Sequence, residues 1–247
     1  MKTSNKLLLF ALVVLLGALG TYNIALKAEY NTKSYLDPYR NYVALDFNGF
    51  EEIELNSGDM LSVLIEPGDE HAVYLYEGNE ETVQISQQAN TLQIDVTTHD
   101  KQKSLRGWGY PQLIIKTPML HTLRSNAKHI YNGEPVIHTK RQNTASWLNT
   151  TLKGFKQDSL RLELDNGVMV QLHGSQLQHL YAVTGTSPES DPKLLIHPDN
   201  KIEQANLDIR NRSHLALLNV AIPGLQYTLS EQAQVELSGE ALAILRK

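Results

Sequence analysis

From Val43 onward the chain alternates apolar and polar side chains with a period of two. The stretches VALDFN, EEIELNS, MLSVLIEPG, AVYLYEG, TVQISQQ, TLQIDVTT and PQLIIKTP all do so. Such alternation gives a strand one apolar and one polar face. Turn formers separate the stretches: Asn48-Gly49, Ser57-Gly58, Pro67-Gly68, Gly78-Asn79 and Ala89-Asn90. Turns at this spacing predict an all-β sandwich, barrel or solenoid. After Lys27 no window of ten or more residues carries a convincing 3.6-residue period.

The second half repeats. SLRLELDNGVMVQLHG (159–174) and GLQYTLSEQAQVELSG (224–239) align without a gap at an offset of 65. Leu160, Leu162, Leu164, Val168, Val170 and Leu172 then match Leu225, Tyr227, Leu229, Ala233, Val235 and Leu237. ANLDIRNRSHLALLN (205–219) follows the same pattern at offset 45, and LRSNAKHIYNG (123–133) is a weaker copy. Each copy reads as two short strands joined by a polar turn. One such unit cannot bury its apolar face alone, so the copies must stack. A period near 20 suits one coil of a parallel β-solenoid. Antiparallel hairpins would show the same strand-turn-strand pattern, so the period alone leaves a sandwich open; the repeat length favours the solenoid. On that register Leu162, Leu164, Val170, Leu172, Leu207, Ile209, Leu215, Leu217, Leu229, Val235 and Leu237 face inward. Arg161, Glu163, Gln171, Asp208, Arg210, Gln234 and Glu236 face solvent.

Residues 7–26, LLLFALVVLLGALGTYNIAL, hold no charged side chain. As a helix, 20 residues span about 30 Å, the thickness of a bilayer's hydrocarbon core. Lys2 and Lys6 precede the run, which favours a cytoplasmic N-terminus (1–6) and an extracytoplasmic body. The segment reads as an uncleaved transmembrane signal anchor or as a signal peptide cut after Gly20. Residues 27–42, rich in tyrosine and broken by Asp37-Pro38, read as a stalk, and 43–247 as the head domain.

Composition narrows the function. The net charge of −5 lacks the clustered cations that nucleic acid requires. The absence of cysteine excludes disulfides, thiolate-bound metal, thiol catalysis and an N-terminal lipidated cysteine.

The order FNGFEEIELNSGDMLSVLIEPGDEHAVYLYEG, NTLQIDVTT, PQLIIKTPMLHTLRSNAKHIYNG resembles the auto-transporter adhesins with a head GIN domain, common in Bacteroidetes. The resemblance spans most of 43–247 and rests on degenerate alternation rather than catalytic residues. It implies a right-handed parallel β-helix-like fold, an envelope location and adhesion. The chain departs from that pattern in its fewer Gly-Ser turns and in His129-Ile130.

Candidate chemistry is sparse. Arg106-Gly107-Trp108-Gly109-Tyr110-Pro111 sets two aromatics between glycines. Arg106, Trp108 and Tyr110 are therefore the candidate ligand-binding residues, able to stack on a sugar or peptide; the competing reading folds Trp108 back as a cap on the β-stack. Trp147 is a similar case. The nine histidines form no HExxH, and His173 and His179 are the pair that could converge in a solenoid. No metal site, cofactor or catalytic residue is nominated. The acidic turns 66–70 and 188–192 lack calcium-loop spacing and read as solvated turns. The repeat faces carry Gln, Asn, Ser and His, which favours a binding or structural surface over a catalytic one. The expectation is a non-enzymatic, membrane-anchored envelope protein, engaged in adhesion or scaffolding. Its partners are the membrane, through the N-terminal helix, and an envelope protein or glycan. The alternative is a glycan-binding or glycan-processing β-helix.

Overall fold

The computed structural model describes residues 2–98, 105–141 and 148–246; His99 and Trp147 lie outside them. The chain divides into two units, Met1–Tyr42 and Val43–Lys247.

The first unit is built on one α-helix, α1 (Thr3–Thr32), none of whose residues is buried. It is long and apolar enough to cross a membrane. The helix outruns the expected 7–26 span and takes in residues 27–32 of the expected stalk. Its stop is not Asp37-Pro38 but Lys33, which turns left-handed (φ 56°) and donates its amide to the Tyr30 carbonyl. The Tyr30 and Tyr35 rings stack beyond it, with centroids 5.3 Å apart.

Among the described residues the second unit is all-β but for a C-terminal 3-10 segment, Gly239–Arg246. Its first ten strands, counting Tyr42 at the boundary, are β1 (Tyr42–Leu45), β2 (Glu52–Leu55), β3 (Val63–Pro67), β4 (Ala72–Tyr76), β5 (Val83–Gln88), β6 (Thr91–Thr98), β7 (Leu113–Thr117), β8 (Thr122–Ser125), β9 (Lys128–Tyr131) and β10 (Glu134–Ile137). Nine follow: β11 (Thr150–Lys153), β12 (Lys156–Leu164), β13 (Met169–His173), β14 (Gln176–Thr184), β15 (Lys193–Ile196), β16 (Lys201–Ile209), β17 (His214–Leu218), β18 (Gly224–Leu229) and β19 (Gln234–Ser238). They form two open sheets, ordered β1-β4-β7-β3-β11-β13-β15-β17-β19 and β10-β9-β6-β2-β8-β12-β14-β16-β18, with β5 added on β6.

From β11 on, the strands alternate between the sheets and every ladder is parallel. Leu162 pairs with Ala182, Ala182 with Leu207, and Leu207 with Tyr227. Leu172 likewise meets Ile196, and Leu217 meets Leu237. The first half differs from the expected right-handed parallel β-helix over 43–247. There β4 pairs with β7, β5 with β6, and β9 with β10, all antiparallel, so the sheets are mixed. The weak copy at 123–133 is half a match: β8 joins the ladder of β12, but β9 turns into a hairpin with β10. Asn132 and Gly133, both at positive φ, make that hairpin's two-residue turn.

One apolar core draws on both sheets, and Leu162, Leu164, Val170, Leu172, Leu207, Ile209, Leu215 and Leu217 lie in it. Leu229 and Val235 are exceptions to the expected inward set, at 40% and 41% exposed, and Leu237 is half-buried. These three sit on β18 and β19, the outermost strands, which have a neighbour on one side only. Tyr227 and Leu242 join them around an open apolar groove of about 380 Å³.

This asymmetry yields a stability prediction. Leu162→Ala should cost about 2–5 kcal/mol, a cavity in a closed core. Val235→Ala, and Gln171→Lys on the solvent face, should each cost about 1 kcal/mol or less. Denaturant melts of the three variants check the order; equal losses would mean the register is wrong.

Candidate functional site

The loop after β6 carries the candidate aromatics. Tyr110 donates its amide to the Gly107 carbonyl at 2.9 Å, closing a turn with Trp108 and Gly109 at its centre. Gly109 has φ +85°, the value a type II turn demands at that position. Trp108 therefore stands at the tip, 77% exposed, with Tyr110 61% exposed. Trp108 does not fold back as a cap.

The base of the loop is held by Asn79, a fully buried side chain in the turn after β4. Its Oδ1 accepts from the Arg106 amide at 2.8 Å, and its Nδ2 donates to the Arg106 carbonyl at 3.2 Å. One amide side chain thus satisfies both polar groups of one residue, as a neighbouring strand would. The Arg106 side chain lies over Gly78, where an added Cβ would come within 2.7 Å of its Cδ. Gly107 sits as closely on the Tyr76 ring. Arg106 is thus packed at the loop base, whereas Trp108 and Tyr110 project from it.

His173 and His179 lie on β13 and β14, in different sheets, and the His179 ring stacks on Tyr181. His173 instead stacks on His197, one turn of chain later, with centroids 3.6 Å apart. His197 Nε2 lies 3.0 Å from Gln171 Oε1, and His173 Nδ1 lies 3.5 Å from Asp199. The acidic turns are matched by cations: Glu66 by Lys116, Glu189 by Arg212 and Asp191 by Arg141.

The outer face of the second sheet is more charged than the repeats suggest. Arg124 reaches Glu52 at 2.8 Å and Glu163 at 3.4 Å, while Arg161 reaches Glu163 at 2.6 Å. Arg210 pairs with Asp208 at 2.5 Å. The hydrogen bond that Arg124 donates to Glu52 raises the Arg124 pKa further. Glu52, Arg124 and Glu163 come from β2, β8 and β12, strands distant in sequence, whereas Arg161–Glu163 and Asp208–Arg210 are pairs two residues apart in the chain. Each arginine is already engaged by a carboxylate, and exposed pairs of this kind contribute little stability. Elsewhere Asp59, His129 and His138 bring one ligand-capable atom each within 4.8 Å of the others. The sequence reading nominated none of these three as a ligand, because they come from separate turns and strands.

No family model and no curated protein matches the chain. Among solved structures it is similar to a "putative adhesin" from Parabacteroides distasonis ATCC 8503 at 13% identity. That match covers 79% of this chain and 73% of the other, with a TM-score of 0.49. A "putative adhesin" from Bacteroides fragilis NCTC 9343 is 13% identical over 82% and 95% of the two chains, with a TM-score of 0.43. A "putative lipid binding protein" from Parabacteroides distasonis ATCC 8503 is 11% identical over 80% and 94%, with a TM-score of 0.36.

The histidines make stability depend on pH. Burial, then the adjacent His173, lowers the His197 pKa against the pull of Asp199. Burial, then Lys193 and Arg141, lowers that of His214 against Glu236 and Asp191. A folded imidazole below its unfolded value of about 6.5 favours folding while neutral, and that contribution is lost as pH falls. The thermal midpoint should therefore drop as pH is lowered from about 7.5 to 5. A His197→Gln, His214→Gln double variant should show a shallower drop; an unchanged slope would refute the assignment.

Proposed function

We infer that the protein is a membrane-anchored, non-enzymatic envelope protein whose β head serves adhesion or scaffolding. The observation that carries this reading is α1: 30 helical residues without one buried side chain, a surface suited to lipid. Lys2 and Lys6 orient it with the N-terminus inside and the head outside the cytoplasm. The head continues as a β-solenoid of the GIN type in this reading, supported by the parallel ladders of β11–β19 and by the sequence resemblance. A helix that runs unbroken through Gly20 fits an uncleaved anchor.

A second reading, glycan binding, is favoured by the pinned aromatic loop. An exposed indole and phenol on a fixed turn suit a sugar ring, since little side-chain entropy is lost on stacking.

Two measurements test these readings. A reporter fused after Lys247 should be active only outside the cytoplasm, and cytoplasmic activity overturns the topology. Trp108→Ala should weaken capture of envelope glycans or proteins by the full chain by about tenfold or more, as loss of a central aromatic does. It should leave the melting temperature within about 2 °C. Unchanged capture would remove the loop from the binding surface.

A further inference from the structure

We propose that Asp59, His129 and His138 form a binding site for a divalent transition metal of the zinc class, which clips the turn after β2 to the β9–β10 hairpin. His129 and His138 lie 70 and 79 positions after Asp59, yet one donor atom from each of the three lies within 4.8 Å of the others. Asp59 belongs to the turn 56–60; His129 lies on β9, and His138 follows β10.

The backbone beneath the donors is built in. Ser57 Oγ donates to the Lys128 carbonyl at 2.9 Å, and Ser57 bridges to Ala127. His138 donates its amide to the Ala127 carbonyl at 2.9 Å, and its own carbonyl accepts from Gly167 at 2.7 Å. The three donors are therefore positioned by main-chain bonds that do not involve them.

Two buried atoms of the cluster point to a ligand. Asp59 has a side chain only 5% exposed, and His129 is 7% exposed. Asp59 Oδ1 and His129 Nδ1 are both shut off from solvent without a hydrogen-bond partner among the described residues. A buried polar atom left unpaired costs about 1–3 kcal/mol, and an ion held by the Asp59 carboxylate and the His129 imidazole would relieve it at both residues. His138 has 28% of its side chain exposed.

The donor set selects the ion. Two imidazoles and one carboxylate suit zinc, copper or nickel, whereas calcium and magnesium demand six or more oxygens. With no cysteine in the chain, soft thiolate chemistry is absent. His138 Nδ1 and Asp59 Oδ2 share a hydrogen bond at 2.5 Å. Coordination through Nδ1 would replace that hydrogen bond, with the neutral imidazole carrying its proton on Nε2, and open the pair to about 3.3 Å, the donor spacing around a four-coordinate ion with bonds of about 2.0–2.1 Å. Three protein donors leave the fourth position to water.

The test uses the full chain in detergent, stripped with a chelator and titrated with Zn²⁺. One equivalent should bind with a Kd below about 1 µM, and saturation should raise the melting temperature by about 5–10 °C. Asp59→Asn and His138→Gln should each abolish both effects, and His173→Gln, in the other histidine cluster, should abolish neither. Failure to bind at 10 µM Zn²⁺ overturns the proposal. So does binding that survives the Asp59→Asn, His138→Gln double variant, or that is lost with His173→Gln. Should either variant fail to fold, Co²⁺ in the natural chain decides. Strong visible bands of a four-coordinate ion support the site, and the pale spectrum of a six-coordinate ion refutes it.

Discussion

The architecture of the β unit depends on the parallel ladder. In the half that follows β10, every strand from β13 on pairs with the strand two places earlier in the chain, and the registers are held without slippage across β12, β14, β16 and β18. A shift of one residue would turn every apolar side chain of that strand to solvent. Register and burial thus enforce each other: Leu160, Leu180, Ala205 and Leu225 stand in one row, Leu164, Thr184, Ile209 and Leu229 in another. The row weakens only where the last strand lacks a neighbour beyond it.

A ladder of this kind must turn a corner twice per circuit, and the corners are where backbone polar groups would go unmet. Asparagine, serine and aspartate fill that need. Asn200 accepts from the Ser175 amide and donates to the Leu172 and His197 carbonyls. Asn211 donates to Gly185 and Ser187, and Ser230 in turn donates to the Asn211 carbonyl. Burial pushes the Asp165 pKa up, but bonds from Ser187, Ser190 and the Asn166 amide outweigh it and hold the carboxyl below its ordinary range. The corners also need left-handed backbone: Asn166, Gly174, Gly185, Asn211, Asn219 and Gly239 all have positive φ. At Gly185 nothing larger fits, since a Cβ would meet Ser213 Oγ and the Arg210 carbonyl.

Parallel stacking is also why much of the fold could be read from the chain. It sets like residue on like residue, so the offset of 65 between Leu160 and Leu225 is three successive ladder steps. The copy between them, β14 and β15, escaped notice because the turn 185–192 lengthens its strand spacing from 20 to 24, as the pairs Leu160–Leu180 and Met169–Lys193 show. In the first half the same alternation serves antiparallel hairpins, which a period of two cannot distinguish from coils. The helix was legible from its apolar run. Its extra turns were not, because Lys27–Thr32 extends it without an apolar signal and the stop lies in the Lys33 conformation.

The candidate sites divide along the same line. Trp108 and Tyr110 were legible because the glycines that shape their turn are adjacent in the chain. The Asn79 side chain that pins that turn was not, since it arrives from another loop. The Glu52–Arg124–Glu163 bridge on the second sheet and the Asp59, His129 and His138 cluster were invisible for a stronger reason. Their members meet only once strands far apart in sequence are in register. Local turn chemistry can be read from spacing; chemistry assembled across a ladder has no spacing until the ladder exists. In this chain, which has no cysteine to tie distant segments together, such ladder-built clusters also fall where crosslinks would be of most use. Closing a loop of 70 residues or more removes more chain entropy than closing a short one. The segments joined by Asp59 and the β9–β10 hairpin are of that kind.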